Sequence, residues 1–375
     1  MKHKLDFVNS KLESIKEQNL YRQLKNSKIK NSHIIINKKS LLNFSSNDYL
    51  GLSSQKSSKN FQSSSRLVSG NDESFQVLEK KLAKHKSQHE SLIFPTGYMA
   101  NIGVITTLIQ KNDIILSDKL NHASIIDACK MSNGKTVVYK HNDLSDLESK
   151  LRKKNGRKFI ITEGVFSMDG DFADLKNIAK IAESNNAILI LDDAHGDFVF
   201  GSDGKGTPNH FGVSKKIDVY VSSLSKGLGS FGGYIAGQKN IIELTVNKAK
   251  SFIYTSALPA PIVDITIQRF ESDREKHRKK LLKNIKTFHD GLHEIGLDIK
   301  SKSHIIPIIV GKEKDAVSFS NYLFKNGIFA QAIRYPTVPK DQARIRMSLT
   351  AKLEKKQILS CLTILEKSLK KFNVI

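Results

Sequence analysis

Between about residue 90 and residue 240, short apolar runs alternate with helical patterns, and several of the runs contain no polar alternation. They are Ser91–Phe94, Ile114–Leu116, Thr136–Val138, Phe159–Thr162, Ala187–Leu191, Ile217–Val221 and Tyr234–Ala236. A strand that is apolar at successive positions is buried on both faces, which occurs where helices cover both sides of a mainly parallel sheet. This pattern predicts an α/β fold with a large, mainly parallel sheet domain. After Pro259 and Pro261 the pattern changes to a long charged helix, a strand-like His304–Val310, a helix near Asp315–Lys325, a strand-like Arg344–Met347 and a terminal helix. That series predicts a smaller C-terminal α+β domain. At the other end, Leu5, Val8, Leu12 and Ile15 recur at helical spacing, and Ile34–Ile36 and Leu41–Phe44 look like short strands. The expected division is therefore 1–44, an N-terminal helix with short strands; 45–262, the large α/β domain; and 263–375, the small α+β domain.

In a parallel α/β sheet, ligands collect at the carboxyl ends of the strands, so chemistry is sought there. The segment Phe94 to Asn101 reads as strand, turn with Gly97, and helix start, where free N–H groups suit a phosphate and Tyr98 can supply an aromatic wall. His122 begins a helix in the segment NHAS, and Ser167 follows the strand that ends at Thr162. The run ILILDDAHG ends a buried strand in two carboxylates and an imidazole, Asp192, Asp193 and His195. A carboxylate at such a place needs a cation or several hydrogen bonds, and a protonated heteroaromatic nitrogen against Asp192 would serve. Finally SSLSKGLGSFGG has one charge, Lys226, between hydroxyls and glycines. A Walker-type phosphate loop is the rival reading, but the segment lacks GxxxxGK[ST] and comes late in the sheet. A strand-end lysine, an upstream aspartate, the hydroxyls of Ser223 and Ser225 and a glycine-turn-helix anion site together describe a pyridoxal 5'-phosphate pocket. Lys226 would carry that cofactor.

The net charge of +23 raises the question of nucleic acid. The lysines are scattered from Lys2 to Lys371, and the densest cluster, REKHRKKLLKNIK, contains no stacking aromatics, so no nucleic-acid partner is expected. Cys129 and Cys361 share no metal-like spacing, which points to a reducing compartment and no structural metal. No run approaches the roughly 18 apolar residues of a membrane span, and the amino terminus has no apolar signal core. No membrane association is expected, and the expected location is the cytoplasm.

The segments NFSSNDYLGL, TGYMAN, NHAS, EGVFSMDGD, DDAHG, SKGLGSFGGYIAG and IRYPTVPKDQARIRMSLT occur in the order found in the α-oxoamine synthases, and the chain resembles that family from about residue 20 to its end. The family comprises pyridoxal-phosphate enzymes of fold type I that condense an amino acid with an acyl-CoA and release carbon dioxide; for this chain the expected partners are an amino acid and an acyl-CoA or acyl carrier protein. The resemblance implies that Lys226 carries the cofactor and Asp192 pairs with the pyridine nitrogen. His195 and Ser167 would lie near the phenolic oxygen and His122 would stack on the ring. Gly97, Tyr98 and Ser223 would contact the phosphate region. Thr255 and Ser256, in FIYTSALP, resemble a segment that reaches the partner's phosphate, which implies a homodimer with shared active sites. Arg22, Thr337 and Arg346 match substrate contacts, Arg346 being the one that grips the amino-acid carboxylate. Arg334 precedes the YPTVP turn, where it could read a distal carboxylate or ester on the acyl chain. One departure is visible: five residues after Gly70 the family usually has histidine, and here Phe75 stands.

Overall fold

The computed structural model describes residues 13, 14, 16–19, 27–46, 48–52, 64–152 and 156–375. Of the helix expected over Leu5–Ile15 only Glu13 and Ser14 are described, and both are helical; the substrate contact expected at Arg22 lies outside the described residues. The chain divides into two compact units. The larger runs from residue 47 to Lys280, except Met168–Gly170; the smaller comprises the described residues up to Ser46, Met168–Gly170 and Leu281–Ile375.

Among the described residues of the larger unit, seven strands form one sheet. They are β1 (Glu90–Phe94), β2 (Ile114–Asp118), β3 (Lys135–Tyr139), β4 (Lys158–Glu163), β5 (Ile188–Asp192), β6 (Val219–Ser223) and β7 (Gly233–Gly237), in the order β1-β7-β6-β5-β4-β2-β3. β7 is antiparallel to both neighbours, while the pairs β6/β5, β5/β4, β4/β2 and β2/β3 are parallel. Each apolar run that lacked alternation became one of these strands, and β2, β6 and β7 are buried at every position. The side chains Phe94, Ile115, Phe159, Ile161, Ile190, Val221 and Ile235 meet Val104, Ile105 and Phe252 from the covering helices in one core. Each fully buried side chain of this size stabilises by about 1.5–3 kcal/mol relative to exposure, so the sheet rather than any loop holds the frame of this unit.

Helix α1 (Glu73–Lys86) is capped by Asp72, whose side chain accepts from the Ser74 N–H, and helix α2 (Gly97–Leu108) by Thr96, whose hydroxyl accepts from Met99 N at 3.1 Å. Phe75 is fully buried on α1 with the Arg66 guanidinium 4.1 Å from its ring centroid. A cation resting on an aromatic face fills the place where the resemblance leads one to expect histidine. Helix Ala260–Glu271 packs on α1, so the larger unit extends past 262, and the division falls within the helix Arg274–Glu294.

The smaller unit has two sheets among its described residues. Ile305–Gly311, Ala343–Ser348 and Gln331–Ile333 pair antiparallel in that order. Ser27–Lys30, His33–Ile36 and Lys39–Asn43 form an antiparallel meander joined in parallel by Ile328–Phe329. Helix Lys355–Lys371 starts with a reciprocal capping box between Glu354 and Gln357. Within this unit Arg344 donates to Asp169 at 2.7 Å, with the guanidinium side chain only 2 % exposed. No helix among the described residues is long and apolar enough to cross a membrane. Both cysteines are buried and unpaired, and burial raises the Cys129 thiol to about 12.

Candidate active site

The carboxyl ends of β4, β5 and β6 and the first turns of α2 and of helix α3 (Ala123–Met131) converge on a cavity of about 210 Å³. Gly97, His122, Glu163, Asp192, Ser223 and Lys226 are among its lining residues, and all belong to the larger unit. The close approach of β7 to α2 explains one glycine: a Cβ on Gly233 would lie 2.4 Å from both N and Cα of Gly97. Only a residue without a side chain lets the strand pass under the helix start, which leaves the N-terminal amides of α2 beside the cavity.

Lys226 sits on the loop after β6, and its Nζ lies 2.9 Å from His195 Nε2. The other ring nitrogen of His195, Nδ1, is 2.8 Å from the Tyr49 hydroxyl, so the buried imidazole is fixed between an amine and a phenol. Asp192 ends β5. Its Oδ2 accepts from Asn101 Nδ2 at 2.6 Å and its Oδ1 from Ala194 N at 2.9 Å. Asn101, one turn into α2, also donates to Ser124 Oγ at 3.0 Å. His122 is the N-cap of α3, with Nδ1 accepting from Ser124 N at 3.2 Å, and its ring is open toward the cavity. Desolvation by the surrounding protein holds this imidazole below the ordinary histidine value, with the Asp192 charge opposing and Lys226 adding to the effect.

Ser223 Oγ and Ser225 Oγ are 2.8 Å apart at the cavity edge. Tyr98 is partly exposed; its hydroxyl donates to Asp127, and that bond raises the phenol above its usual value. Ser167 is buried in the segment after β4 but does not line the cavity. Thr255 and Ser256 do not line it either; they border a separate small hollow with Arg66 and Pro95. Arg334, Thr337 and Arg346 belong to the smaller unit. There Arg334 donates to the Asn19 carbonyl, Thr337 N closes a turn on Arg334 O at 3.0 Å, and Arg346 Nη1 donates to Ser348 Oγ at 2.9 Å.

The segment that follows Asp192 belongs to a buried charge cluster that sequence reasoning missed. Lys86 Nζ contacts Asp197 Oδ1 at 2.5 Å and Asp193 Oδ2 at 3.7 Å, with all three side chains fully buried. Asp197 Oδ2 also accepts from Tyr234 at 2.5 Å and from Ser222 at 2.9 Å, while Asp193 accepts from the Thr207 hydroxyl at 2.6 Å. Burial lifts Asp193 to about 7 against the pull of Lys86; at Asp197 burial is outweighed by Lys86 and His85, which hold it below the usual carboxylate range. The segment Asp192–Asp197 thus carries Asp192, which lines the cavity, and His195, which contacts Lys226, between residues that Lys86 holds. At the far edge His141 is clamped between Asp118 and Asp171, each at 2.9 Å; burial opposes its charge, but the two carboxylates prevail and raise it to about 10. Tyr49, Asn101 and Glu163 were also missed as site residues, although NFSSNDYLGL, TGYMAN and EGVFSMDGD contain them.

The donor set fits pyridoxal 5'-phosphate. An amine and a carboxylate with its N–H donors already in place flank the cavity, hydroxyls and helix-terminal amides stand at its edge, and Asn101 Oδ1 and Glu163 Oε1 are buried without a protein partner. A lysine-bearing pocket at the strand ends of this sheet defines a pyridoxal-phosphate enzyme of fold type I. The chain belongs to the aminotransferase class I and II family, whose model matches residues 39–365, and within it to the α-oxoamine synthases. The 8-amino-7-oxononanoate synthase of Thermoanaerobacter pseudethanolicus is 40 % identical, across 100 % of this chain and 99 % of that protein. The solved 8-amino-7-oxononanoate synthase from Francisella tularensis is 32 % identical with a TM-score of 0.75, covering 88 % of this chain and 98 % of that one. Serine palmitoyltransferase of Sphingomonas wittichii superposes with a TM-score of 0.90 at 25 % identity, over 99 % of this chain and 98 % of that one.

Proposed function

We propose that this chain is an 8-amino-7-oxononanoate synthase. It would condense L-alanine with a pimeloyl thioester, on CoA or a carrier protein, with loss of carbon dioxide, in biotin biosynthesis. The observation that carries the reading is the Lys226 amine held 2.9 Å from His195 in a cavity that Asp192 also lines, together with full-length relatives that bear this name.

When bound, pyridoxal phosphate supplies an electron sink for the bonds at the α-carbon of an amino acid. The residues of the chain divide the remaining work. Lys226 would hold the cofactor through its Nζ, and the same amine, when free, would accept the α-proton of the substrate. Asp192, fixed by Asn101 and the Ala194 amide, presents a negative charge that keeps a ring nitrogen protonated. His195, held by Tyr49, would offer Nε2 to the cofactor's phenolic oxygen. His122, which lines the cavity, would lie against the ring and assist at the thioester oxygen or the substrate carboxylate. Gly97, Tyr98 and Ser223 bind the phosphate end. Arg346 binds the alanine carboxylate, Arg22 and Thr337 contact substrate, and Arg334 reads the distal end of the pimeloyl chain. Thr255 and Ser256 complete the phosphate site of a second copy, so the working unit is a homodimer. Two buried, unpaired thiols accord with a cytoplasmic location.

The test of the cofactor reading is the visible absorbance of purified protein. A band of lysine-bound cofactor is expected, and Lys226→Ala should abolish it while the fold, followed by circular dichroism, is retained. A band that survives in Lys226→Ala overturns the assignment.

A further inference from the structure

Glu163 and Asp192 are register partners on the adjacent parallel strands β4 and β5, and both line the cavity. Strands lie about 4.8 Å apart and paired side chains leave the same face, so these two carboxyl groups are neighbours in a place with little water. Glu163 is only 3 % exposed. Their hydrogen bonds are unequal. Asp192 has one N–H donor on each oxygen. The Glu163 carboxyl accepts from the His122 backbone amide, while its Oε1 is buried and has no protein partner. Two like charges cannot both persist at such a spacing without compensation, and the proton goes to the group with fewer donors.

We propose that Glu163 is a neutral carboxylic acid that positions the pocket: its carbonyl oxygen holds the His122 amide, and its O–H points to an oxygen or nitrogen of the bound cofactor or substrate. Asp192 then remains the ionised member of the pair, and the cavity floor carries one negative charge, matched to one protonated ring nitrogen. The charged and titratable groups that face Glu163 are Asp192 from β5, Asp118 from β2, Lys226 from the loop after β6 and His122 at the start of α3. Burial is the largest influence and raises Glu163 well above its usual value, the two aspartates add to this, and Lys226 and the His122 amide oppose it. A lone ionised glutamate here would instead double the negative charge under the ring and leave Oε1 without a donor.

The part played by the cofactor rests on the function proposed above, but protonation of Glu163 does not, and two readouts separate them. The first is infrared difference spectroscopy of the holo-protein, labelled with 13C-glutamate, against Glu163→Gln near pH 7. A protonated-carboxyl band present in the wild type and missing from the variant is expected; a carboxylate band in its place overturns the proposal. The second is the pH midpoint of the lysine-bound cofactor's visible band. Replacing a neutral acid by a neutral amide should leave that midpoint within about 0.3 unit, whereas removing an ionised neighbour would lower it by roughly one unit or more. The larger shift overturns the proposal. If no visible band exists at all, the cofactor reading fails and the infrared result alone decides the state of Glu163. Should Glu163→Gln not fold, the labelled wild type still answers, since the protonated band must be present near neutrality.

Discussion

Replacing Lys86 with methionine removes an ammonium and little volume from the buried cluster with Asp193 and Asp197, and the consequence follows from its geometry. The Lys86 and Asp197 side chains are both 0 % exposed and 2.5 Å apart, so the loss strands a buried carboxylate rather than a solvated one. Breaking such a pair from one side costs about 3–5 kcal/mol. Asp197 keeps hydroxyl donors from Ser222 and Tyr234, which places the expected cost near the lower end, about 3–4 kcal/mol. Asp193 loses its nearest cation as well and should take up a proton near neutral pH. The double variant Lys86→Met/Asp197→Asn removes both charges while an amide can still accept from the two hydroxyls, so it should be more stable than Lys86→Met by about 1–3 kcal/mol. Urea unfolding followed by far-ultraviolet circular dichroism measures this, the chain having no tryptophan. A loss below about 1 kcal/mol in Lys86→Met, or a double variant less stable than the single one, would refute the reasoning.

Other outcomes can be checked in the same protein. Asp192→Asn preserves shape and removes the charge, so cofactor should still bind while turnover falls by about 100-fold or more; near-normal turnover removes Asp192 from its role. His141 has its folded value raised from 6.5 to about 10, so its contribution is complete below the unfolded value and is lost as pH climbs toward the folded one. The stability gap between wild type and His141→Gln should therefore be widest near pH 6 and close as pH approaches about 10; a gap that widens with pH contradicts the clamp. Mixing Lys226→Ala subunits with Thr255/Ser256 double-alanine subunits should restore activity, because one site of each hybrid dimer carries neither defect. No recovery despite proven subunit exchange speaks against shared sites.

What could be read before the structure, and what could not, divides along physical lines. Six strands of the large sheet were legible because burial on both faces leaves uninterrupted apolar runs, whereas the edge strand β3 is largely exposed and was read from its β-branched run Thr136–Val138 alone. Asp192 was legible because a carboxylate directly after such a run calls for a reason, and Lys226 because it is the one charge in the hydroxyl- and glycine-rich segment that follows another. Lys86 was not. In LAKHKSQ it looks like any lysine on a solvated helix face, and the carboxylates that bury it, Asp193 and Asp197, are more than a hundred residues away in sequence. Tyr49 and Asn101 were hidden for the same reason: their partners His195 and Asp192 meet them only once the sheet is formed. Glu163 stood in a quoted segment, but its pairing with Asp192 is a matter of strand register, which spacing along the chain does not reveal.

Product formation tests the central claim most directly. Purified protein loaded with pyridoxal phosphate is given L-alanine with pimeloyl-CoA, or glycine with acetyl-CoA, the pair of the rival reading as a 2-amino-3-ketobutyrate CoA ligase, to whose tail KDQARIR is also similar, and the amino ketones formed are identified by mass spectrometry alongside Lys226→Ala. The account predicts 8-amino-7-oxononanoate from the first pair, a kcat/KM for that pair well above the second, and no product from the lysine variant. Faster turnover of glycine with acetyl-CoA, or undiminished product from Lys226→Ala, would contradict it.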